Sequence, residues 1–160
     1  MQVKIRQAEK EDAAAVLSLI QELAVYEREP EAVVVTQEDI ARDGFGPQPL
    51  FHCIVAEYQG QVVGMALYYP RYSTWKGPTL HLEDLIVKEA YKKKGIGTAL
   101  YRAFIADAYE RGVNRVEWVV LDWNAPAITF YKNSGASVLE EWDTVQMDRS
   151  GMKNYLNQTR

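Results

Sequence analysis

A basic, glycine-containing loop constrains the fold of this chain more than any other stretch. The loop is Lys92–Thr98 (KKKGIGT); it follows a strand-like run, Leu80–Val87, and a helical pattern begins near Leu100. Amides at the start of a helix have no intrahelical partner, and the helix dipole adds partial positive charge there. Gly95 and Gly97 allow close approach of an anion because they lack a Cβ. The order strand, loop, helix predicts a phosphate-binding turn.

The loop matches neither of two common nucleotide-binding motifs. It lacks the Gly-Lys-Ser/Thr ending of the Walker A loop, and it lacks the third glycine of the dinucleotide fingerprint. A solvated lysine turn is the usual interpretation of an isolated Lys-Lys-Lys-Gly run. The position of this loop between a strand with two carboxylates and a second strand–helix unit favours anion binding instead.

Composition and charge narrow the class of protein. The 160 residues are 48% hydrophobic and 25% charged, which predicts one soluble globular domain, residues 1–160. The net charge of -4 argues against a nucleic-acid partner. A lone cysteine, Cys53, excludes an internal disulfide framework and is expected in the core. Neither a secretory signal pattern nor an apolar run of about 20 residues is visible. We therefore expect a cytoplasmic protein without a membrane partner.

Hydrophobic periodicity predicts an alternation of strands and helices. In the first half we expect a strand around Val3–Gln7, a helix from Glu11 to Tyr26, a helix over 37–42 with a Thr36–Asp39 capping box, hairpin strands over 50–57 and 61–69, and a loop over 70–78. In the second half we expect a strand from Leu80, a helix to about Arg111, a strand over 115–121, a helix N-capped by Asn124, a strand pair over 137–139 and 144–147, and no structure from Ser150. A hairpin combined with strand–helix–strand units predicts an α/β fold with a mixed sheet.

In this arrangement the chain resembles the GCN5-related N-acetyltransferase (GNAT) family. Lys92–Gly97 fits that family's coenzyme loop, Gln/Arg-x-x-Gly-x-Gly/Ala, with lysine in the first position. Further matches to its diamine acetyltransferase branch lie in 22–24, 43–46, 51–57, 82–84 and 130–132, and matches to the thialysine type lie in 72–77 and 121–124. The resemblance implies a mixed sheet whose fourth and fifth strands splay apart to admit acetyl-CoA. It also implies a homodimer.

The resemblance implies two catalytic residues, which chemistry also favours. Attack on a thioester requires an amine that has lost its proton, and the departing thiolate requires a proton. Glu83 is the expected base, directly or through a water, and partial desolvation in its apolar strand would suit that role. Tyr131 is the expected acid. The alternatives are a salt-bridged carboxylate at a strand edge and an aromatic side chain packed beside Phe130.

The resemblance also implies the sites for coenzyme and acceptor. Acetyl-CoA is expected on the backbone of Leu85, Ile86 and Val87, on the loop residues Lys92, Lys93, Lys94, Gly95, Ile96, Gly97 and Thr98, and on Asn124, Ala127 and Lys132. The acceptor amine is expected to contact Glu27, Ser73, Trp75, Asp84 and Glu141. Strand alternation sends Asp84 to the face opposite Glu83 unless a β-bulge intervenes.

The predicted function is acetyl-CoA-dependent N-acetylation of a small primary amine by direct transfer. The expected acceptor is a thialysine-like or lysine-like amino acid or a diamine, and the alternative is a polyamine, spermidine or spermine. Ser73, which stands where the polyamine-preferring branch has an aspartate, favours the shorter acceptor. A non-catalytic coenzyme-A-binding module is the alternative from another class, and Glu83 and Tyr131 argue against it. His52 and His81 have too few partners to suggest a metal site.

Overall fold

A computed structural model of the chain describes residues 1–158. The chain divides into two compact units, with the boundary between Val119 and Val120. The first unit contains all the strands that form within residues 1–158. The assignment of residues 1–160 to one domain stays a prediction.

The first unit is built on a five-stranded mixed sheet, which confirms the predicted fold class. Its strands are β1 (Lys4–Gln7), β2 (His52–Tyr58), β3 (Gln61–Ser73), β4 (Gly77–Val87) and β5 (Val116–Glu117). They lie side by side in chain order. The pairings from β1 to β4 are antiparallel, whereas β4 and β5 run parallel.

Five α-helices occur within residues 1–158. They are α1 (Ala13–Tyr26), α2 (Gln37–Phe45) and α3 (Ile96–Glu110) in the first unit, and α4 (Ala125–Asn133) and α5 (Arg149–Leu156) in the second. The predicted capping box is confirmed: Thr36 Oγ1 accepts from the Asp39 amide at 3.1 Å, and Asp39 Oδ2 accepts from the Thr36 amide at 2.9 Å. These two bonds pair amides that a helix start otherwise leaves unsatisfied.

Apolar side chains cover both faces of the sheet. One core packs α3 against the sheet through residues that include Ala66, Tyr68, Leu80, Leu82, Val87, Leu100 and Phe104. The other packs α1 and α2 through residues that include Val16, Leu19, Ile40, Cys53, Met65, Leu67 and Ile86. Cys53 is 5% exposed, which confirms its predicted place in the core, and burial raises the pKa of its thiol to about 12.

The aromatic loop predicted over residues 70–78 is wrong, because most of it belongs to a long hairpin. β3 continues to Ser73 and β4 begins at Gly77. The turn is tight because Gly77 adopts a φ of 79°, a conformation that glycine allows at little cost. Pro70 and Pro78 sit opposite Leu80 and Tyr72 in the paired strands. Proline inside a strand is uncommon, which explains why the composition predicted a loop.

The strand predicted over 115–121 is also largely wrong, since β5 contains only two residues. Within residues 1–158 it pairs with Leu80 and His81 and with no later residue of β4. The ladder between the fourth and fifth strands thus ends after His81. That early ending agrees with the divergence of these two strands expected from the resemblance.

The second unit differs from the prediction at two places. The strand pair expected over 137–139 and 144–147 does not form in the described residues, and Val145 and Met147 are 91% and 58% exposed. Their alternation therefore does not mark a buried strand face. The polar tail, for which no structure was expected, forms α5, because Asp148 Oδ1 accepts from the Gly151 amide at 2.7 Å and caps the helix.

None of the helices described over residues 1–158 combines the length and the apolar composition needed to cross a membrane.

Replacement of Gly64 by alanine should destabilise the sheet. A Cβ there would lie 2.9 Å from the Ile86 carbonyl oxygen and 3.1 Å from Leu100 Cδ1. Overpacking of this kind costs about 1–3 kcal/mol, and urea unfolding would measure it. Gly97→Ala is the matched control, because its Cβ would lie an ordinary 3.7 Å from Val87 Cγ2. Equal stability of the two variants would contradict the tight packing at Gly64.

Candidate active site

A β-bulge in β4 brings two carboxylates to one side of the sheet. Leu67 pairs with Asp84 and Tyr68 pairs with Leu82, so Glu83 is an extra residue without a partner in β3. A bulge of this kind interrupts the alternation of side chains. Glu83 and Asp84 consequently line the same cleft. Alternation predicted opposite faces for these two side chains unless a β-bulge intervened, and the structure contains that bulge.

The cleft lies between the sheet and the helices α1 and α2. It has a volume of about 500 Å³, which suits a small molecule. Its apolar lining is Ile20, Val35, Ile40, Leu50, Phe51 and Leu67, and its polar lining is Asp39, Asp43, Tyr69, Glu83 and Asp84. Apolar walls with a few carboxylates fit an aliphatic chain that carries positive charge.

Three carboxylates form an electrostatically coupled cluster in the first unit: Glu27, Glu83 and Asp84. Burial, followed by the charges of Glu83 and Glu27, raises the pKa of Asp84 to about 7. Burial and the charge of Glu83 also raise the pKa of Glu27. Like charges in a partly desolvated site disfavour full ionisation. A bound cation would relieve that repulsion, so the cluster is suited to an ammonium group.

Glu83 is the more exposed of the two adjacent carboxylates, with 51% of its side-chain surface accessible. Partial desolvation was expected at Glu83, but in the structure Asp84 is the desolvated carboxylate and Glu83 is exposed at the bulge. Tyr69 donates a hydrogen bond from its hydroxyl to Glu83 Oε2 at 2.8 Å, and His81 Nε2 lies 3.6 Å from the same oxygen. Burial and Glu83 raise the pKa of Tyr69 to about 12, so its hydroxyl remains a donor at neutral pH.

Beyond the bulge, β4 presents backbone amides at an open edge. The amide of Lys88 donates to the Val63 carbonyl at 2.9 Å. Hydrogen-bonded pairs recur at every second position of an antiparallel ladder, so the amide of Ile86 also faces β3. The amides of Leu85 and Val87 then point to the other edge, past the end of the β5 ladder. Of the three residues expected to bind coenzyme through their backbone, these two have suitably directed amides.

The basic loop has a backbone suited to an anion. Lys93 and Gly95 adopt φ values of 60° and 80°, and Gly95 is the N-cap of α3. The first intrahelical bond of α3 runs from the Ala99 amide to the Gly95 carbonyl at 3.0 Å. The amides of Ile96 and its two successors, Gly97 and Thr98, therefore precede the helical ladder and can donate to a phosphate. This geometry fits the pyrophosphate of acetyl-CoA.

The lysines of the loop differ in their surroundings. Lys92 Nζ lies 2.7 Å from Glu89 Oε2 and 5.0 Å from the centre of the Tyr26 ring. Lys94 Nζ lies 5.5 Å from the centre of the Tyr91 ring. The charge of Lys92 is thus largely balanced by Glu89. The backbone amides, rather than this side chain, are the stronger anion-binding feature of the loop.

Comparison with known proteins agrees with this geometry. Residues 13–136 match the model of the Acetyltransferase (GNAT) family. The chain belongs to that family. It is an acetyl-CoA-dependent N-acetyltransferase, as the sequence predicted.

Two relatives and one solved structure illustrate the likeness. The chain is 40% identical to the thialysine N-epsilon-acetyltransferase of Bos taurus, covering 94% of this chain and 95% of the relative. It is 37% identical to the spermidine/spermine N(1)-acetyltransferase-like protein 1 of Homo sapiens, covering 91% of this chain and 22% of the relative. An integron cassette protein of V. cholerae has the same fold, with a TM-score of 0.79, 24% identity and 99% coverage of both chains.

Two of the expected acceptor residues of this acetyltransferase lie at the tip of the β3–β4 hairpin. Ser73 Oγ accepts from the amides of Trp75 and Lys76 at 3.2 and 3.1 Å. Trp75 is 82% exposed. Ser73 lies four residues beyond Tyr69 along β3, roughly 13 Å at 3.3 Å per residue. The structure therefore separates Ser73 from the carboxylate cluster, while Glu27 and Asp84 belong to it.

The remaining expected residues of the enzyme lie in the second unit. Asn124 Oδ1 accepts from the Ala127 amide at 3.4 Å and caps α4, as predicted. Tyr131 is half-buried in α4, with its ring 5.6 Å from that of Phe130. Lys132, which follows it, and Glu141, beyond the helix, are exposed. The catalytic and binding roles of these residues stay predictions.

Sequence reasoning missed Tyr69 and gave His81 no role. Tyr69 follows Tyr68 in an apolar strand, and no motif distinguishes the two tyrosines. The signal that separates them is alternation: Tyr68 is fully buried on the α3 side, and Tyr69 lines the cleft.

No group of three or more potential ligand side chains within residues 1–158 could hold a metal ion.

Replacing Asp84 with asparagine should stabilise the enzyme above neutral pH. The ordinary pKa of this carboxyl is 3.8 and the folded value is about 7. Below about pH 4 both states are protonated, whereas above pH 7 the folded state carries the full cost of a buried charge. That cost reaches roughly 4 kcal/mol, because a difference of one in pKa corresponds to about 1.4 kcal/mol. Asp84→Asn should therefore raise the Tm by several degrees at pH 8.

At pH 4 the same substitution should leave the Tm nearly unchanged. Thermal unfolding monitored by circular dichroism at both pH values would measure the difference, with Asp122→Asn at an exposed position as the control. A gain of equal size at both pH values would show that the burial of Asp84 does not govern the effect.

Proposed function

We propose that this enzyme acetylates the side-chain amine of a small lysine-like amino acid, with thialysine as the model substrate. The observation that carries the proposal is a cleft with apolar walls that is lined by Glu83 and Asp84, to which Glu27 is electrostatically coupled. Such a site attracts an ammonium group at the end of an aliphatic chain. The similarity to the bovine thialysine acetyltransferase supports the same substrate class.

The carboxylate cluster has two tasks in this proposal. Asp84 and Glu27 bind the incoming ammonium, since both lie in the field of neighbouring negative charge. Glu83 accepts the proton that the ammonium must lose, directly or through a water. Its exposure to the cleft and its fixed hydrogen bond to Tyr69 support that role.

Acetyl-CoA supplies the acetyl group as a thioester. We propose that the amides of Leu85 and Val87 bind the pantetheine arm as an added strand would. The backbone of Lys93–Thr98 binds the pyrophosphate, with Lys94 adding diffuse charge and Lys92, which is paired with Glu89, adding less. Ile86 contributes through its buried side chain, which fixes the strand.

Tyr131 is proposed as the acid that protonates the departing thiolate. Its position in α4, a helix capped by Asn124 and followed by a turn at Ser134–Gly135, agrees with the family pattern. Ala127 and Lys132 on the same helix are proposed coenzyme contacts. Glu141 and Trp75 are proposed contacts at the distal end of the acceptor.

A polyamine is the second candidate acceptor. Asp39 and Asp43 add two carboxylates to the cleft, which would suit a further ammonium group. Both are paired with Arg42, at 3.0 and 2.9 Å, so the net charge they add is smaller than their number suggests. The shorter amino acid is therefore the preferred candidate. We further propose a cytoplasmic homodimer, as the family resemblance implies.

An acceptor panel should separate the two candidates. Purified enzyme would be assayed for thiol release from acetyl-CoA with thialysine, lysine, ornithine, putrescine, spermidine and spermine. We expect kcat/KM to be highest for the amino acids. A clear preference for spermidine would transfer the proposal to polyamines. Tight coenzyme binding without turnover of any acceptor would instead support a non-catalytic module.

Glu83→Gln should lower kcat by about 10²–10⁴-fold, the usual contribution of a general base. The KM for acetyl-CoA should stay unchanged, since Glu83 lies on the acceptor side of β4.

Activity of the unaltered enzyme should fall as the pH drops through about 7, because Asp84 then takes up a proton. Steady-state kinetics from pH 5.5 to 9 would measure both effects. Glu140→Gln, at an exposed position, is the control; near-normal kcat in Glu83→Gln would exclude the base role.

A further inference from the structure

Tyr69 approaches Glu83 across the bulge, from the neighbouring strand. Its hydroxyl donates to Glu83 Oε2 at 2.8 Å. Its ring lies against the ring of His81, with centroids 5.3 Å apart and planes inclined by 31°. These two contacts fix both ends of the side chain. Tyr69 also lines the cleft itself, so it acts at the surface where the acceptor binds.

Negatively charged groups lie around Glu83, and the hydrogen bond from Tyr69 acts against their repulsion. Asp84 follows it in β4, and Glu27 approaches from the end of α1, and both interact with Glu83 as like charges. From α2, Asp39 and Asp43 line the same cleft. Asp84 and Glu27 therefore repel the charge of Glu83, whereas Arg42 offsets much of the charge of Asp39 and Asp43.

Favourable partners of Glu83 come from the sheet. His81 Nε2 lies 3.6 Å from Glu83 Oε2, beyond good hydrogen-bonding distance. Arg71, on β3, acts electrostatically on Tyr69, while its own guanidinium pairs with Glu117. The Tyr69 hydroxyl is thus the well-placed donor to this carboxylate. A hydrogen bond to a carboxylate is shorter and stronger than one between neutral groups.

We infer that Tyr69 is a positioning residue for Glu83: it holds one carboxylate oxygen and stabilises the charged form, which leaves the other oxygen to accept the proton of the acceptor ammonium. The inference rests on the proposed role of Glu83 as the base. Tyr69 is distinct from the residues assigned above to the base, the acid and the coenzyme site.

The proton balance assigns different parts to the two side chains. One N–H bond of the ammonium breaks and one O–H bond forms on Glu83, directly or through a water, and the amine keeps the electron pair with which it attacks. Tyr69 retains its own proton throughout, which agrees with the raised pKa of its hydroxyl, about 12. Tyr69 therefore changes the rate through Glu83 and not by its own proton transfer.

The test is a double-mutant cycle of Tyr69→Phe and Glu83→Gln, with acetyl-CoA and thialysine as substrates, or with the best acceptor of the panel. We expect Tyr69→Phe to lower kcat about tenfold, as loss of one charge-assisted hydrogen bond predicts. The KM for acetyl-CoA should not change. The acidic limb of the pH profile should move to higher pH, because the carboxylate cluster would hold its proton more tightly. In the Glu83→Gln background, Tyr69→Phe should have little further effect on kcat.

Tyr72→Phe is the matched control. Tyr72 lies on the same strand, opposite Pro78, is 71% exposed and has no assigned role in the site. Its substitution should leave both kcat and the pH profile unchanged. Thermal unfolding of every variant would show that each retains the fold.

The possible outcomes distinguish this inference from the function on which it rests. Equal loss of kcat from Tyr69→Phe in both backgrounds would show an independent role and overturn the inference alone. So would an unaltered kcat in Tyr69→Phe when Glu83→Gln is impaired. Full activity in Glu83→Gln would overturn the base assignment itself, and the inference with it. Non-additive losses with a shifted acidic limb would support both.

Discussion

The site depends on one extra residue in β4. Glu83 has no partner in β3, so the alternation of backbone amides between the two sides of β4 is reversed at that point. Before the bulge, the amide of Leu80 donates towards the β5 side, to the carbonyl of Arg115 at 3.3 Å. After it, the odd-numbered residues Leu85 and Val87 direct their amides to that side. A regular strand would separate the two carboxylates and would turn different amides to the open edge.

The cost of the arrangement falls mainly on Asp84. A carboxyl group buried beside two like charges opposes folding at neutral pH, and proteins retain such groups mostly at functional sites. The two apolar cores on either side of the sheet supply the stability that permits it. Tyr69 acts in the opposite sense on the neighbouring Glu83, through a hydrogen bond that favours charge. Two consecutive carboxylates thus differ in environment, which is a common basis for different roles.

Sequence reasoning succeeded where local physics determines the structure. The Thr36 capping box and the Asn124 cap use short-range hydrogen bonds, and both are confirmed. It failed where the length of a strand depends on which segments pair in the sheet, as in the strand expected over 115–121. It also failed at 70–78, where two prolines suggested a loop inside a continuous hairpin. The bulge could be named only as an exception, because one sequence does not reveal the register between two strands.

The acidic cluster illustrates the same limit. Glu83 and Asp84 are adjacent in sequence and were identified from it, but which of them is desolvated depends on the bulge. Glu27 joins them across a sequence separation of more than fifty residues, through the packing of α1 on the sheet. Tyr69 carries no motif and is recognised only by its contact.

The distance between residue 73 and the cleft limits what that residue contributes to acceptor preference. Ser73 Oγ already accepts from the Trp75 and Lys76 amides, a task that an aspartate in a similar turn performs equally well. An aspartate would add a charge roughly 13 Å along β3 from Tyr69, beyond the Debye length of about 8 Å at physiological ionic strength. Its field at the cleft would be weak, so a serine or aspartate there would act on a long acceptor that reaches the hairpin, not on the reacting amine. A lysine-like acceptor held within the cleft would be recognised by the cleft's own carboxylates.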